Sequence, residues 1–399
     1  MTVTIYVEDV QGRQEVRPAG ETLASTLASL RLPHTMFQAY LVHPGDDLLP
    51  IPHWTRLDVL DRANDQVLVR ALRNTLFDTI LPTSGAGTGE VVSGAGFEQI
   101  VPGENGRDAT WKQVALGPRQ AQRLVVDEVG SFLRTHDTAT RGCVFGVSGG
   151  GDSNALAYGL SQSLPHDKIV AFTLVFRDVM TQAAADRATI LCQDLGINHE
   201  VIQPVELARL LDIRTSLDAL YDDFSSVFGT EALHFFGTFL ILKTARTLAQ
   251  RHGLHDLAFG YNREDLLAEL LFMVVNGRRP LSYPTRSLGE QRIVMPVWRI
   301  PKLVLDACHP RFSLENYRER DAHTTRQRSL AFYLGHTLDS SYPSFGLSLL
   351  DGMQRAFGDS FSQLTYDSDL DVYVTELADE SRRDVVGGLL RRHFGQAGD

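Results

Sequence analysis

Six consecutive residues, Ser148, Gly149, Gly150, Gly151, Asp152 and Ser153, separate the apolar run "VFGV" from a helical pattern that begins near Ser153. Glycines at such a junction let successive backbone N–H groups turn toward one point and form an anion nest. The helix that follows adds free N–H groups and the positive end of its dipole. Ser148 and Ser153 contribute short hydroxyl donors. Asp152 by itself would repel phosphate, so its carboxylate implies a Mg²⁺ ion between it and the phosphate oxygens. Together these residues describe a site for a polyphosphate with its metal.

Two other readings of the same residues can be weighed in the sequence. The chain holds no GxxxxGK followed by Ser or Thr, which argues against a γ-phosphate-transferring P-loop enzyme. "GVSGG" satisfies GxSxG, the nucleophile elbow that would make Ser148 an attacking hydroxyl. That elbow follows several strands of its sheet, whereas here only a glycine-rich stretch and one helix precede it within the α/β region. The bland alternative is a strand-to-helix turn that holds no ligand.

The motif resembles the SGGxDS PP-loop of the N-type ATP pyrophosphatases, the adenine nucleotide alpha hydrolase-like superfamily, and all six positions are present. A second segment, "LAFGYNREDLLAELL", is similar to the GHNxDDxxET segment of the tRNA-thiolating and lysidine-forming branches. Gly260, Asn262 and Asp265 match, Tyr261 replaces histidine, and Glu264 stands where the first of two aspartates is usual. Glu269 falls one residue beyond the family glutamate; four residues from Asp265, it shares a helix face with it and is a candidate to aim a second carboxylate at the metal. A third segment, "IVMPVWRIPKLVLDAC", is similar to the strand-then-"RPL" stretch that closes the pocket in those branches. The resemblance spans about residues 115–310.

That resemblance implies ATP and Mg²⁺ as cofactors, cleavage between the α and β phosphates, and transfer of AMP to a carbonyl, carboxylate or amide oxygen. By the same resemblance Ser148, Gly149, Gly150, Gly151 and Ser153 cradle the β and γ phosphates. Asp152 and Asp265 hold the metal, and with Ser148 they form the expected catalytic set. The main chain at Phe176, the end of "AFTLVF", meets the adenine; Tyr261 and Arg278 complete the expected nucleotide contacts. Lys302 either faces the pyrophosphate or is an ordinary surface lysine. No CxxC precedes "LAFGY", which argues against cluster-dependent thiolation. The four zinc-binding cysteines of 7-cyano-7-deazaguanine synthases are also missing, although "NYRERDAHTTRQRSLAF" has a spacing similar to that segment.

These residues need elements to hold them. From Gln113 onward strands and helices alternate: a helix over 118–134, "CVFGV", the helix after the glycines, the apolar strand "KIVAFTLVF", helix 181–195, "HEVIQ", a long helix near 232–252, and "LAFGY". Such alternation predicts an α/β fold with a doubly wound parallel sheet, which the resemblance identifies as PP-loop, HUP-like. Residues 1–80 form a separate unit. Val3, Ile5 and Val7 alternate as in a half-buried strand, "QEVRP" returns, "ETLASTLASLRLP" is a short helix, and "FQAYLV" and "QVLVRAL" add strands. This order resembles a β-grasp, ubiquitin-like domain, without the free Gly-Gly end of sulfur carriers. Residues 81–112, rich in Gly, Ser and Thr, read as a flexible linker. The PP-loop domain is expected over 113–311 and a helical C-terminal extension over 312–399.

Composition fits a soluble globular chain: 399 residues, 43% hydrophobic, 22% charged, net charge −11. No uninterrupted apolar run approaches the roughly 18 residues a bilayer requires, and "MTVTIYVEDVQGRQ" lacks a signal-peptide pattern. Cys143, Cys192 and Cys308 are isolated, which argues against a disulfide framework and predicts a cytoplasmic location. His252 and His255 form HxxH with no other metal ligands nearby. Arg311 to Arg328, with Arg391 and Arg392, offer a basic surface to tRNA, or a solvated face given the acids Glu315, Glu319 and Asp321 among them. The expected partners are ATP and an acceptor, either a small molecule or a protein, with tRNA as the alternative, no membrane, and assembly as a homodimer or with a partner chain. A catalytically inactive nucleotide-binding module is the remaining reading.

Overall fold

The computed structural model describes residues 3–9, 12–30, 32–42, 48–60, 66–72, 94–102, 109–177, 179–319, 325–341, 344–368, 371–374 and 380–394. Near the N-terminus come β1 (Thr4–Asp9), β2 (Gly12–Val16), α1 (Leu23–Ser29), β3 (Phe37–Val42), β4 (Leu48–Ile51) and β5 (Gln66–Ala71). They form a five-stranded sheet in the order β2-β1-β5-β3-β4. The central pair β1 and β5 is parallel, with Ile5 opposite Val67 and Val7 opposite Val69. Alternation fixes which face is buried: Ile5, Val67 and Val69 meet Leu23 and Leu27 of α1 in a core of their own. α1 starts at Thr22, whose hydroxyl accepts from the Ser25 N–H while the Ser25 hydroxyl accepts from the Thr22 N–H, a reciprocal cap.

The expected linker contains structure. β6 (Ala95–Pro102) and β7 (Ala109–Leu116) pair as an antiparallel hairpin, from Ala95 opposite Leu116 to Pro102 opposite Ala109. The glycines that suggested a linker are what let this hairpin dock. A Cβ on Gly96 would sit 2.5 Å from the Pro52 side chain, and Gly94 donates its N–H to the Pro50 carbonyl. The 81–93 part of that reading lies outside the described residues.

The second sheet follows α2 (Pro118–Thr135) and α3 (Thr138–Arg141). Its strands are β8 (Cys143–Gly146), β9 (Ile169–Leu174), β10 (Asn198–Ile202), β11 (Asp256–Ala258), β12 (Thr285–Leu288) and β13 (Gln291–Val294). They lie in the order β10-β9-β8-β11-β13-β12, all parallel except β12, which pairs antiparallel to β13 at one edge. β9 is buried along its whole length, as a strand covered on both faces must be. The intervening helices are α4 (Gly151–Ser163), α5 (Gln182–Leu195), α6 (Pro204–Leu210), α7 (Leu217–Phe228), α8 (Ala232–His252), α9 (Arg263–Val275) and α10 (Lys302–Cys308). β8, first in the chain, lies in the middle; β9 and β10 extend the sheet to one side, β11 and β13 to the other. That reversal opens a crevice beyond the carboxyl ends of β8 and β11, where ligands bind in open α/β sheets. The fold is therefore α/β and doubly wound, as the alternation predicts.

The segment Leu217–His252 is apolar enough by length and composition for a membrane span. Here it is two helices: α7 ends at Gly229, whose φ of 56° turns the chain, and Phe224 packs on Phe236 and Phe239 across the bend. Beyond the sheet come α11 (Pro310–Glu319), α12 (Arg326–Ser341), α13 (Phe345–Phe357), a small hairpin of β14 (Thr365–Asp367) and β15 (Val372–Val374), and α14 (Glu380–His393). The C-terminal region is helical as expected, apart from that hairpin. α12 packs along α9 and α13, so this region buttresses the helix that carries Asp265.

Candidate active site: a cleft at the end of the central strand

The glycine loop leaves β8 and enters α4 at the crevice, and each glycine in it has a separate physical reason. Gly149 has φ 69°, and a Cβ there would lie 2.7 Å from the Ala184 carbonyl of α5. A Cβ on Gly150 would meet the Asn316 amide of α11 at 2.9 Å. At Gly151 the crowding is most severe, for a Cβ would fall 1.8 Å from Asp306 Oδ1. The loop is held by its own serines: Ser153 Oγ accepts the Ser148 N–H at 3.0 Å and lies 3.1 Å from Ser148 Oγ. Ser153 Oγ also donates to the Gly150 carbonyl, and Asn154 Nδ2 donates to the Gly149 carbonyl.

A cleft of about 550 Å³ opens beside this loop. Ser148, Asp152, Ser153, Tyr261 and Asp265 line it, as do Phe172, Thr173 and Leu174 of β9. Five residues expected from the two main motifs therefore meet in one place, whereas Gly149, Gly150 and Gly151 do not line the cleft, and Gly151 borders a small cavity behind the loop. Asp152 accepts from Asn262 Nδ2 at 3.2 Å, and Lys302 Nζ lies 3.2 Å from the same Oδ1. Asn262 caps α9: its side chain accepts the Asp265 N–H, and Asp265 Oδ2 accepts the Asn262 N–H at 3.2 Å. Asp265 thus owes its position to a helix cap. Burial, with the Glu269 carboxylate nearby, pushes the Tyr261 phenol up to about 12, so it faces the cleft as a neutral hydroxyl.

Two carboxylates, one in the first turn of α4 and one in the first turn of α9, suit a hard cation. Mg²⁺ is commonly held by one or two carboxylates plus substrate phosphates rather than by a protein cage. The donor set of Asp152 and Asp265, both lining the cleft, fits the ion.

Other expected residues lie elsewhere. The Phe176 side chain is buried against Tyr221 and Phe236, and its N–H and carbonyl both bond to Met180. Its main chain is therefore taken, and Leu174, Val179 and Met180 line the cleft instead. Glu269 pairs with Arg286 and does not line the cleft. Arg278 is exposed beyond the C-terminal end of α9, whose 13 residues span about 20 Å from Asn262. Lys302 is no surface lysine: at 5% exposure it bridges Asp152 and Asp306, and its own N–H donates to Glu264. His252 pairs with Glu200 on the surface. All three cysteines are buried and unpaired. No histidine lines the cleft among the described residues.

Sequence reasoning missed the wall that stands against the glycine loop. Arg187 of α5, 6% exposed, pairs with Glu319 and reaches toward Asn316 at 3.4 Å, and Arg328 completes that side. Asn316, Glu319 and Arg328 all belong to "NYRERDAHTTRQRSLAF", a stretch noted for its spacing and read as a basic surface or a solvated face, not as part of the cleft. Nothing in its periodicity announces contact with a loop some 160 residues earlier. The basic residues proposed for tRNA are partly spent in local pairs, Arg311 with Glu315 and Arg392 with Asp223.

No family model matches the chain, and no curated protein does. Among solved structures it is similar to the U34-tRNA thiolase NcsA of Methanococcus maripaludis, at 18% identity and a TM-score of 0.48, covering 59% of this chain and 79% of that one. It is also similar to an NH3-dependent NAD synthetase of Campylobacter jejuni, at 17% identity and a TM-score of 0.35, covering 63% of this chain and 100% of that one. A third is the NAD+ synthetase of Burkholderia pseudomallei, at 14% identity and a TM-score of 0.34, covering 62% and 91% respectively.

Proposed function

We propose that this chain is an ATP-dependent adenylating enzyme that binds Mg–ATP in the cleft and cleaves it to AMP and pyrophosphate. One observation carries the reading: a complete SGGGDS loop at the carboxyl end of the central parallel strand, with Asp152, Asp265 and Lys302 converging on it. Ser148, Ser153 and the loop amides bind the β and γ phosphates, and the apolar end of β9 receives the base. Asp152 and Asp265 would hold Mg²⁺, whose chemical contribution is to neutralise charge on the phosphates. Lys302 places an ammonium beside the loop, where negative charge grows on the leaving group.

The bond changes are simple. An oxygen of the acceptor attacks the α-phosphorus with its lone pair, the bond from that phosphorus to the α–β bridging oxygen breaks, and pyrophosphate leaves with the electron pair of the broken bond. A nucleophile then displaces AMP from the activated acceptor. Catalysis of this type rests on positioning and charge stabilisation, so a dedicated general base is not required. The acceptor belongs to the side walled by Arg187, Asn316, Glu319 and Arg328, and we assign it as a small molecule or a protein group. The topology of the N-terminal sheet supports the β-grasp reading of residues 1–80, with the linker boundary moved by the hairpin at 95–116. The test is product analysis of ATP turnover by phosphorus NMR with candidate acceptors. AMP and pyrophosphate are expected; ADP with inorganic phosphate would reject the assignment.

A further inference from the structure

The N-terminal sheet reaches the back of the glycine loop. Tyr40 on β3 and Arg70 on β5 are 6% and 4% exposed. With Gly151, Lys302, Asp306 and Asn316 they wall a small cavity of about 30 Å³. The Arg70 guanidinium lies 3.4 Å from the centroid of the Tyr317 ring on α11. Its Nη2 is buried with no hydrogen-bond partner among the described residues. Glu8, 3.4 Å from Nε, is the nearest acid within the sheet itself. A buried cation of this kind needs an anion near it, which Glu8 supplies; Asp306 lines the same cavity without pairing to Arg70. Burial and the Asp306 charge together push the Tyr40 phenol well above its usual range, so it stays a neutral hydroxyl facing that carboxylate.

Asp306 in turn does two things at the nucleotide site. It is pressed against Gly151, and it shares the Lys302 ammonium with Asp152. An ammonium and a metal ion compete for the same carboxylate oxygens. The more firmly Asp306 holds Lys302, the more of Asp152 is left for a cation.

We infer that the N-terminal sheet is a working part of the nucleotide site: Tyr40 and Arg70 close the small cavity behind Asp306, Asp306 serves there as the second partner of Lys302, and this keeps Asp152 available to the metal. This rests on the Mg–ATP reading above. Tyr40, Arg70 and Asp306 are positioning residues under this scheme, for none of them touches the nucleotide. The sheet therefore sets the site's demand for Mg²⁺ rather than serving only as an appended module.

The test is ATP binding to the full chain by calorimetry at a series of Mg²⁺ concentrations, for wild type, Asp306→Asn and Tyr40→Phe. In Asp306→Asn, Lys302 falls back on Asp152, and the Mg²⁺ concentration for half-maximal binding should rise on the order of tenfold. Tyr40→Phe keeps the ring and the packing, and should raise it by about threefold, with affinity at saturating Mg²⁺ nearly unchanged. A purely structural role would lower the thermal midpoint, or weaken binding equally at every Mg²⁺ level. Unchanged Mg²⁺ dependence in both folded variants overturns the inference while leaving the ATP reading intact. Failure of the wild type to bind Mg–ATP overturns both.

Discussion

At the scale of single residues, the site is set by what the glycines exclude and what the carboxylates attract. Gly151 tolerates no side chain, because Asp306 occupies the space where a Cβ would go. Gly151→Ala should cost about 2 kcal/mol of stability through overpacking and should abolish ATP binding, as read by denaturant unfolding and calorimetry. Retained affinity would show that the loop does not approach the phosphates. Asp152→Asn keeps the shape and removes the charge; turnover should fall by on the order of 100-fold, partly recovered at high Mg²⁺. Near-normal turnover would remove Asp152 from the metal. Lys302 illustrates how poorly sequence ranks a lysine. Its exposure was decided by α10 folding against α4, which no local pattern encodes.

Among the elements, the shortest strand of the second sheet is braced by buried charge. β11 has only three residues, yet it carries the chain into Gly260, Tyr261 and Asn262 at the cleft. Asp256 at its start is fully buried between Arg141 and Arg292, with nitrogen–oxygen distances of 2.8 Å to each. Removing one member of such a buried cluster leaves uncompensated charge, which costs about 3 kcal/mol. Both arginines are partly solvated, so this is an upper figure. Asp256→Ala should therefore lower denaturant stability by up to that amount and misplace the Asn262 cap, weakening ATP binding as well. A stability change below experimental error would show that the brace is incidental. The elements themselves were largely legible: α5 and α8 fall where the helical spacing puts them, and β3 coincides with "FQAYLV". The hairpin at 95–116 was not, since its pairing partners carry the information that its glycine-rich sequence hides.

Across the whole molecule, the N-terminal sheet, α9 and α12 meet around a second buried pocket that holds charged groups. His34, His53, Arg263, Glu264 and Asp339 all line it. Burial and the nearby His34 push His53 down to about 3, and burial with His336 pushes His34 down to about 4, both from an ordinary value of 6.5. Both histidines are therefore neutral when folded and gain protons on unfolding. The stability they lend is complete above pH 6.5 and is lost as pH falls toward 4, by on the order of 1 kcal/mol per pH unit for each. The thermal midpoint should drop over that window, and His53→Gln should flatten the drop. A midpoint independent of pH from 6.5 to 4 in the wild type would contradict this account of the junction.

The sequence alone determined the α/β alternation, the N-terminal strands and the glycine loop between strand and helix, because each is written in local periodicity or in contiguous residue types. The resemblance of "LAFGYNREDLLAELL" also named Asp265, which the structure places at the cleft through the Asn262 cap. Tertiary structure decided the rest. Glu269 turned to Arg286 and Phe176 closed on Met180, while Arg278 ended up a helix length away. Arg187, Asn316 and Glu319 joined the cleft, and Tyr40 and Arg70 came up behind it. The physical reason is common to all of these: charge pairing and burial depend on distance in space. Residues far apart in the chain acquire that distance only when the two sheets and the C-terminal helices pack together.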